Sequence, residues 1–208
     1  MKDVCKKVQI LCVAWLMALL CGCSATELED RCFPMMAAVD VTDGQISFRY
    51  GFPELSQKDN TDVEEAKVNA GTTTGETLSE CVDACNGRLE KLADCNHMKV
   101  LVLGERLMQD KAQYEACLTC LKETELFPRN TYVCVTKDPQ ALFETEDALP
   151  EDLGSYLEEF LQNHESDWQI RQFHLGKLLD EQENQMLGVV LPYIAVQDGV
   201  ITWTKNYE

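Results

Sequence analysis

Basic residues are scarce in this chain. Eighteen Lys and Arg face 36 Asp and Glu over 208 residues, for a formal charge of -18. That balance excludes nucleic acid as a partner, because phosphate binding needs basic side chains to release counterions. It also argues against the folded body lying on anionic headgroups, whose surface potential would repel it. Histidine is scarcer still. His97, His164 and His174 are the full set, and none pairs with a Ser or Cys in a nucleophile motif. A Gly-rich phosphate loop is missing, with Gly104 standing alone after its strand. Acid pairs such as Glu158-Glu159 fall on a solvated helix face, so acid–base catalysis is not indicated. There is no internal repeat and no low-complexity tract. These absences leave no enzyme and no cofactor to argue for.

Long apolar runs are missing too. Val8 to Leu20, at 13 residues, is the longest, and about 20 are needed to span a bilayer. It fits a signal-peptide core instead, following the positive Lys2, Lys6 and Lys7. Leu20-Cys21-Gly22-Cys23 then resembles the bacterial lipobox, in which diacylglycerol is joined to the cysteine before cleavage. Residues 1–22 read as a removed leader, and residues 23–208 as one domain attached through Cys23. Two acyl chains at about 0.8 kcal/mol per buried CH₂ come to on the order of 20 kcal/mol, enough for lasting attachment. The leader carries three lysines and Asp3, a net +2 against the total of -18. The mature part is left at -20, which suits solubility.

Cysteine, by contrast, is plentiful at eleven. Cys5, Cys12 and Cys21 leave with the leader and Cys23 is modified. Seven remain, at 32, 81, 85, 95, 117, 120 and 134. An odd number spread through helices and strands reads as small core residues rather than a disulfide framework. Cys117-x-x-Cys120 falls mid-helix, away from the helix N-terminus that a reactive thiol needs. With Cys81 and Cys85 it could form a four-thiolate zinc site, though all four also suit core packing.

Strand and helix signals alternate along the body. Met35–Val41 is strand-like, Asp43-Gly44 a two-residue hairpin turn, and Ile46, Phe48 and Tyr50 the alternating return. Residues 54–65 are a polar loop, and 67–73 a short strand. Thr77-x-x-Glu80 is a capping box opening a helix with Leu78, Cys81, Val82, Cys85, Leu89 and Leu92 on one face. Val100–Leu103 has the wholly apolar pattern of a central strand. His97, just ahead of it, should hydrogen-bond at the turn. A helix is expected over 111–123, a strand over 131–136 and a short helix after Asp138-Pro139. Further helices should start at Pro150 and, through a second capping box, at Ser166. The latter would carry Ile170, Phe173, Leu178 and Leu179. Residues 189–196 and 200–204 form a second hairpin around Asp198-Gly199. The sum is an α/β (α+β) domain: a mixed sheet, flanking helices and two Asp-Gly hairpins.

Several of these segments, taken in order, resemble the Ger(x)C spore germination lipoproteins. Cys23 with Glu27-Leu28-Glu29, then Met36-Ala37-Ala38-Val39-Asp40, is similar to that family's lipid cysteine and its first strand ending in Asp. Residues 75–92 resemble its first long helix, and 96–107 its His-x-Lys strand with the following turn. Tyr132–Lys137 and Leu191–Gly199 are similar to later strands. The chain departs from the pattern in carrying Ser24-Ala25 where the family keeps Trp-Asp, in having only Arg129 where the approach to its next strand is Arg-rich, and in being short.

The resemblance implies a C subunit of a nutrient germinant receptor. Such a subunit is non-catalytic and sits on the outer face of the spore inner membrane beside integral-membrane subunits. Cys23 is then the one site residue. The alternatives are a solute-binding or accessory surface lipoprotein unrelated to germination, or a zinc or thiol protein.

Overall fold

The computed structural model describes residues 28–53, 70–164, 173–183 and 190–207. The chain divides into two units at Arg31. Of the first, the described part is one exposed 3₁₀ turn, Leu28–Asp30, followed by Arg31 in extended conformation. Cys23 lies outside the described residues, as do the polar loop over 54–65 and the expected capping box at Ser166 and Gln169.

The second unit is built on a seven-stranded sheet. Its strands are β1 (Met36–Thr42), β2 (Gln45–Gly51), β3 (Thr73–Gly75), β4 (Val100–Gly104), β5 (Tyr132–Thr136), β6 (Leu191–Gln197) and β7 (Val200–Tyr207). They lie in the order β3-β2-β1-β4-β5-β6-β7. The four central strands are parallel, and an antiparallel hairpin closes each side. Both hairpins turn on Asp-Gly with positive φ at both residues: 52° and 80° at Asp43 and Gly44, 52° and 76° at Asp198 and Gly199. That backbone twist matches the flanking strands, and glycine adopts it without strain.

The helices are α1 (Leu78–Asn86), α2 (Glu105–Gln109), α3 (Lys111–Thr124), α4 (Pro139–Phe143), α5 (Leu153–His164) and α6 (Leu175–Glu183). Period-two alternation sends Ala37, Val39, Leu101, Leu103, Val133 and Val135 to one face, against α1, α3 and α6. Ala38, Val100, Val102 and Cys134 go to the other face, under α4 and α5. All five residues of β4 are buried, as its unbroken apolar run requires of a strand covered on both sides.

Several boundaries differ from the sequence reading. The third strand covers 73–75, not 67–73, of which 67–69 fall outside the described residues. Helix α1 ends at Asn86, so Leu89 and Leu92 leave its stripe, and Leu92 is 56% exposed. Its capping box is half as drawn: Thr77 accepts from Glu80 N, but the Glu80 carboxylate reaches Glu76 N at 2.9 Å. Helix α5 starts beyond Pro150, because Asp152 supplies the cap by accepting from Ser155 N at 2.9 Å. Phe173 precedes α6, and His174 bridges to Tyr132 instead. His97 packs its ring edge-on to Phe33, with centroids 5.5 Å apart, in place of the expected hydrogen bond. Glu158 is not merely solvated, since Lys99 Nζ lies 2.8 Å from it.

Gly154 lets α5 lie against the start of β1, because a Cβ there would sit 2.8 Å from the Met35 backbone. Gly154→Ala sets a helix-propensity gain of about 1 kcal/mol against an overpacking cost of about 1–3 kcal/mol. Backbone cannot yield as a side chain can, so the expected result is a net loss of up to about 2 kcal/mol. Urea denaturation measures it.

Candidate functional site

The C-terminal ends of the parallel strands carry the densest polar structure in the described residues. Asp40, near the end of β1, is 3% exposed. Its Oδ2 accepts from Arg106 Nε at 3.0 Å and Nη2 at 2.6 Å, and its Oδ1 accepts from Leu107 N at 3.1 Å. The last bond caps α2, whose own N-cap residue, Gly104, has no side chain to do so. Gly104 is required for another reason as well. A Cβ there would fall 1.9 Å from Asp40 Cγ, so the carboxylate occupies the space that the glycine leaves. The hydrogen bond to Asp40 is the main cause that raises the Arg106 pKa.

Two adjoining clefts open beside this cluster, and they share Arg106 and Asp138. One, of about 280 Å³, is lined by Asp40, Arg49, Gln140 and Phe143 among others. The other, of about 400 Å³, is lined by Glu105, Gln109 and Lys137. The chain leaves β4 toward helices on one face of the sheet and β5 toward α4 on the other. The crevice between their ends is therefore the usual ligand position of an open α/β sheet.

The groups around the clefts differ in how fully they are engaged. Asp138 Oδ1 caps α4, accepting from Gln140 N at 3.0 Å and Ala141 N at 3.4 Å. Glu105 accepts from Tyr193 OH at 3.0 Å. Burial, and next that bond, push Tyr193 up to about 12. Arg49 lies 4.0 Å over the Phe143 ring and donates from Nη1 to Gln140 at 3.1 Å. Its Nε is buried without a partner, and burial lowers its pKa.

The thiol candidates sit elsewhere, under the opposite face of the sheet. Cys81 and Cys85 are 0% exposed on α1, Cys117 is 3% exposed on α3, and Cys120 is half-buried. Cys81 donates to Ile46 O at 3.3 Å. Among the described residues, no three His, Cys, Asp or Glu are grouped to hold a metal ion. Burial raises all four thiols, Cys81 to about 11 and Cys117 to about 12. Their environment is that of core residues.

Sequence reasoning did not assign Asp40, Gly104, Arg106 or Arg49 to a site. A signal was present in an acid set within the apolar run Ala37-Ala38-Val39-Asp40-Val41, and in a glycine closing an apolar strand.

Two outcomes are expected. Asp40→Asn turns an acceptor toward Arg106 into a donor and removes charge-assisted bonding, costing about 2–3 kcal/mol, as chemical denaturation will measure. A thiol whose pKa is raised on folding stays neutral while the unfolded chain ionises. Stability therefore falls as pH rises above the ordinary value of 9.0 toward the folded value of about 12 for Cys117. Correspondingly, Cys81 and Cys117 should be slow toward a thiol-titrating disulfide reagent at about pH 8, and fast once the chain is unfolded.

Comparison with known proteins follows this geometry. The family model described as "Spore germination protein N-terminal domain" matches residues 24–196. No curated protein matches the chain significantly, and neither does any solved structure. The matched region holds β1 through β6, with Asp40, Gly104, Arg106 and both clefts inside it. The chain belongs to the spore germination protein N-terminal domain family.

Proposed function

We propose that this chain is a membrane-anchored, non-catalytic subunit of a nutrient germinant receptor, attached through lipid on Cys23. The family match carries the reading. It begins at residue 24, directly after the cysteine of the lipobox-like segment, and continues to residue 196. No helix among the described residues is long and apolar enough to cross a membrane, so attachment in this reading rests on the diacyl cysteine. Two chains suffice for it, by about 20 kcal/mol of buried methylenes. Tethering also raises the domain's effective concentration beside integral-membrane subunits.

A non-catalytic role is supported by what the polar groups do. Asp40, Asp138 and Asp152 cap helices, Glu105 holds Tyr193, and His164 donates from Nδ1 to Phe160 O, 2.7 Å away. Each is committed to structure. The surface charge of the body points the same way on placement, since an acidic domain stands off an anionic leaflet while its lipid holds it near. A solute-binding or accessory surface lipoprotein is the second reading, favoured by the clefts at the sheet end.

Cys23→Ser decides the anchor. The wild-type chain should take up a labelled fatty acid and sediment with membranes, and the variant should do neither. Equal labelling of both would overturn the anchor. A spore lacking the chain separates the two readings, because the receptor reading requires loss of the response to a nutrient and the accessory reading leaves it intact.

A further inference from the structure

We infer that the smaller cleft, between β1, β2 and α4, binds a compact organic acid, with Arg49 as the carboxylate anchor and Lys137, which lines the adjoining larger cleft, as a more distant supporting charge. The inference stands apart from the receptor reading and rests on an inventory of donors and acceptors. The chain carries -18, yet three cations, Arg49, Arg106 and Lys137, border the two adjoining clefts. The acids there are engaged: Asp40 by Arg106 and Leu107 N, Asp138 by the α4 amides, Glu105 by Tyr193. Arg49 and Lys137 make no ion pair among the described residues. Glu144 and Glu146, following α4, act on Arg49 electrostatically but are not ion-paired to it. Arg49 Nε is buried without a hydrogen-bond partner, and a carboxylate in the smaller cleft would supply one.

The walls narrow the class of anion. Arg49 is held over the Phe143 ring and braced by Gln140, and a planar guanidinium suits a planar carboxylate. Ala38, Pro139 and Phe143 form an apolar wall beside it, which suits a short hydrocarbon part better than an inorganic ion. A volume of about 280 Å³ equals roughly nine waters at about 30 Å³ each, so the molecule is small.

The test uses the full chain in detergent, titrated with butyrate, butyramide and inorganic phosphate. Binding is followed by amide chemical shifts and the fold by thermal midpoint. Butyrate should saturate at millimolar concentration, as a ligand of few atoms does, and bind about tenfold more tightly than butyramide. Shifts should centre on Arg49, Gln140 and Phe143. Arg49→Gln should lose about tenfold, Lys137→Gln a few-fold, and Lys111→Gln, on α3, nothing. The shift map on the unmutated chain keeps the test valid if Arg49→Gln lowers the midpoint. The inference is overturned by an absence of saturation to about 100 mM, by equal binding of the amide or of phosphate, by shifts centred elsewhere, or by equal loss in Lys111→Gln.

Discussion

Asp40 occupies the volume where Gly104 would have a side chain, and the architecture of this domain depends on that contact. One carboxylate, 3% exposed, joins three elements. It sits on β1, fills the gap at the end of β4, and caps α2 through Leu107 N. The parallel pairing of β1 with β4 brings Met36 to Val100 and Val39 to Leu103, which carries Asp40 to the end of β4. A buried carboxylate without bonds would cost several kcal/mol. Two Arg106 donors and one backbone amide supply those bonds. Arg106, still half-exposed, carries the cluster out to the surface, and the clefts open there.

Around this junction the remaining chemistry divides by face. One side of the sheet is a large core in which cysteines behave as small hydrophobes, their thiols raised by burial and kept neutral. The other side is smaller, closed by α4 and α5, and Gly154 lets α5 approach the backbone at Met35. The polar groups collect at the C-terminal ends of the strands. The chain turns there from sheet to helix, and its backbone amides need caps. Capping accounts for most of the acids at that edge, and Arg49, Arg106 and Lys137 stand among them.

Membership in a spore germination family agrees with this division of labour. The domain's interior is packed, its acids hold helix ends, and its polar edge offers a small donor-rich cleft instead of a nucleophile with a base. In the proposed reading, lipid on Cys23 would give the position, and the acidic surface would keep the folded part off an anionic leaflet.

Local pattern was enough for the elements that local pattern dictates. The apolar run of β4, the two Asp-Gly hairpins, the Thr77 cap, the helix start at Asp138-Pro139 and the helix over 111–123 were legible, because period, turn chemistry and capping act within a few residues. Boundaries were less so. Asp152, not Pro150, starts α5, and α1 stops before Leu89, because competing caps and neighbouring contacts decide between adjacent signals. The edge cluster was beyond reach for a different reason. Asp40 and Arg106 are 66 residues apart and Arg49 and Gln140 91, and no local rule pairs them. The sequence by itself determined an acidic α/β body with thiols in its core and a lipobox-like segment ahead of it. Only the tertiary structure decided that Gly104 makes room for Asp40 and that Arg49 lies over Phe143 beside Gln140, since both depend on which elements lie side by side.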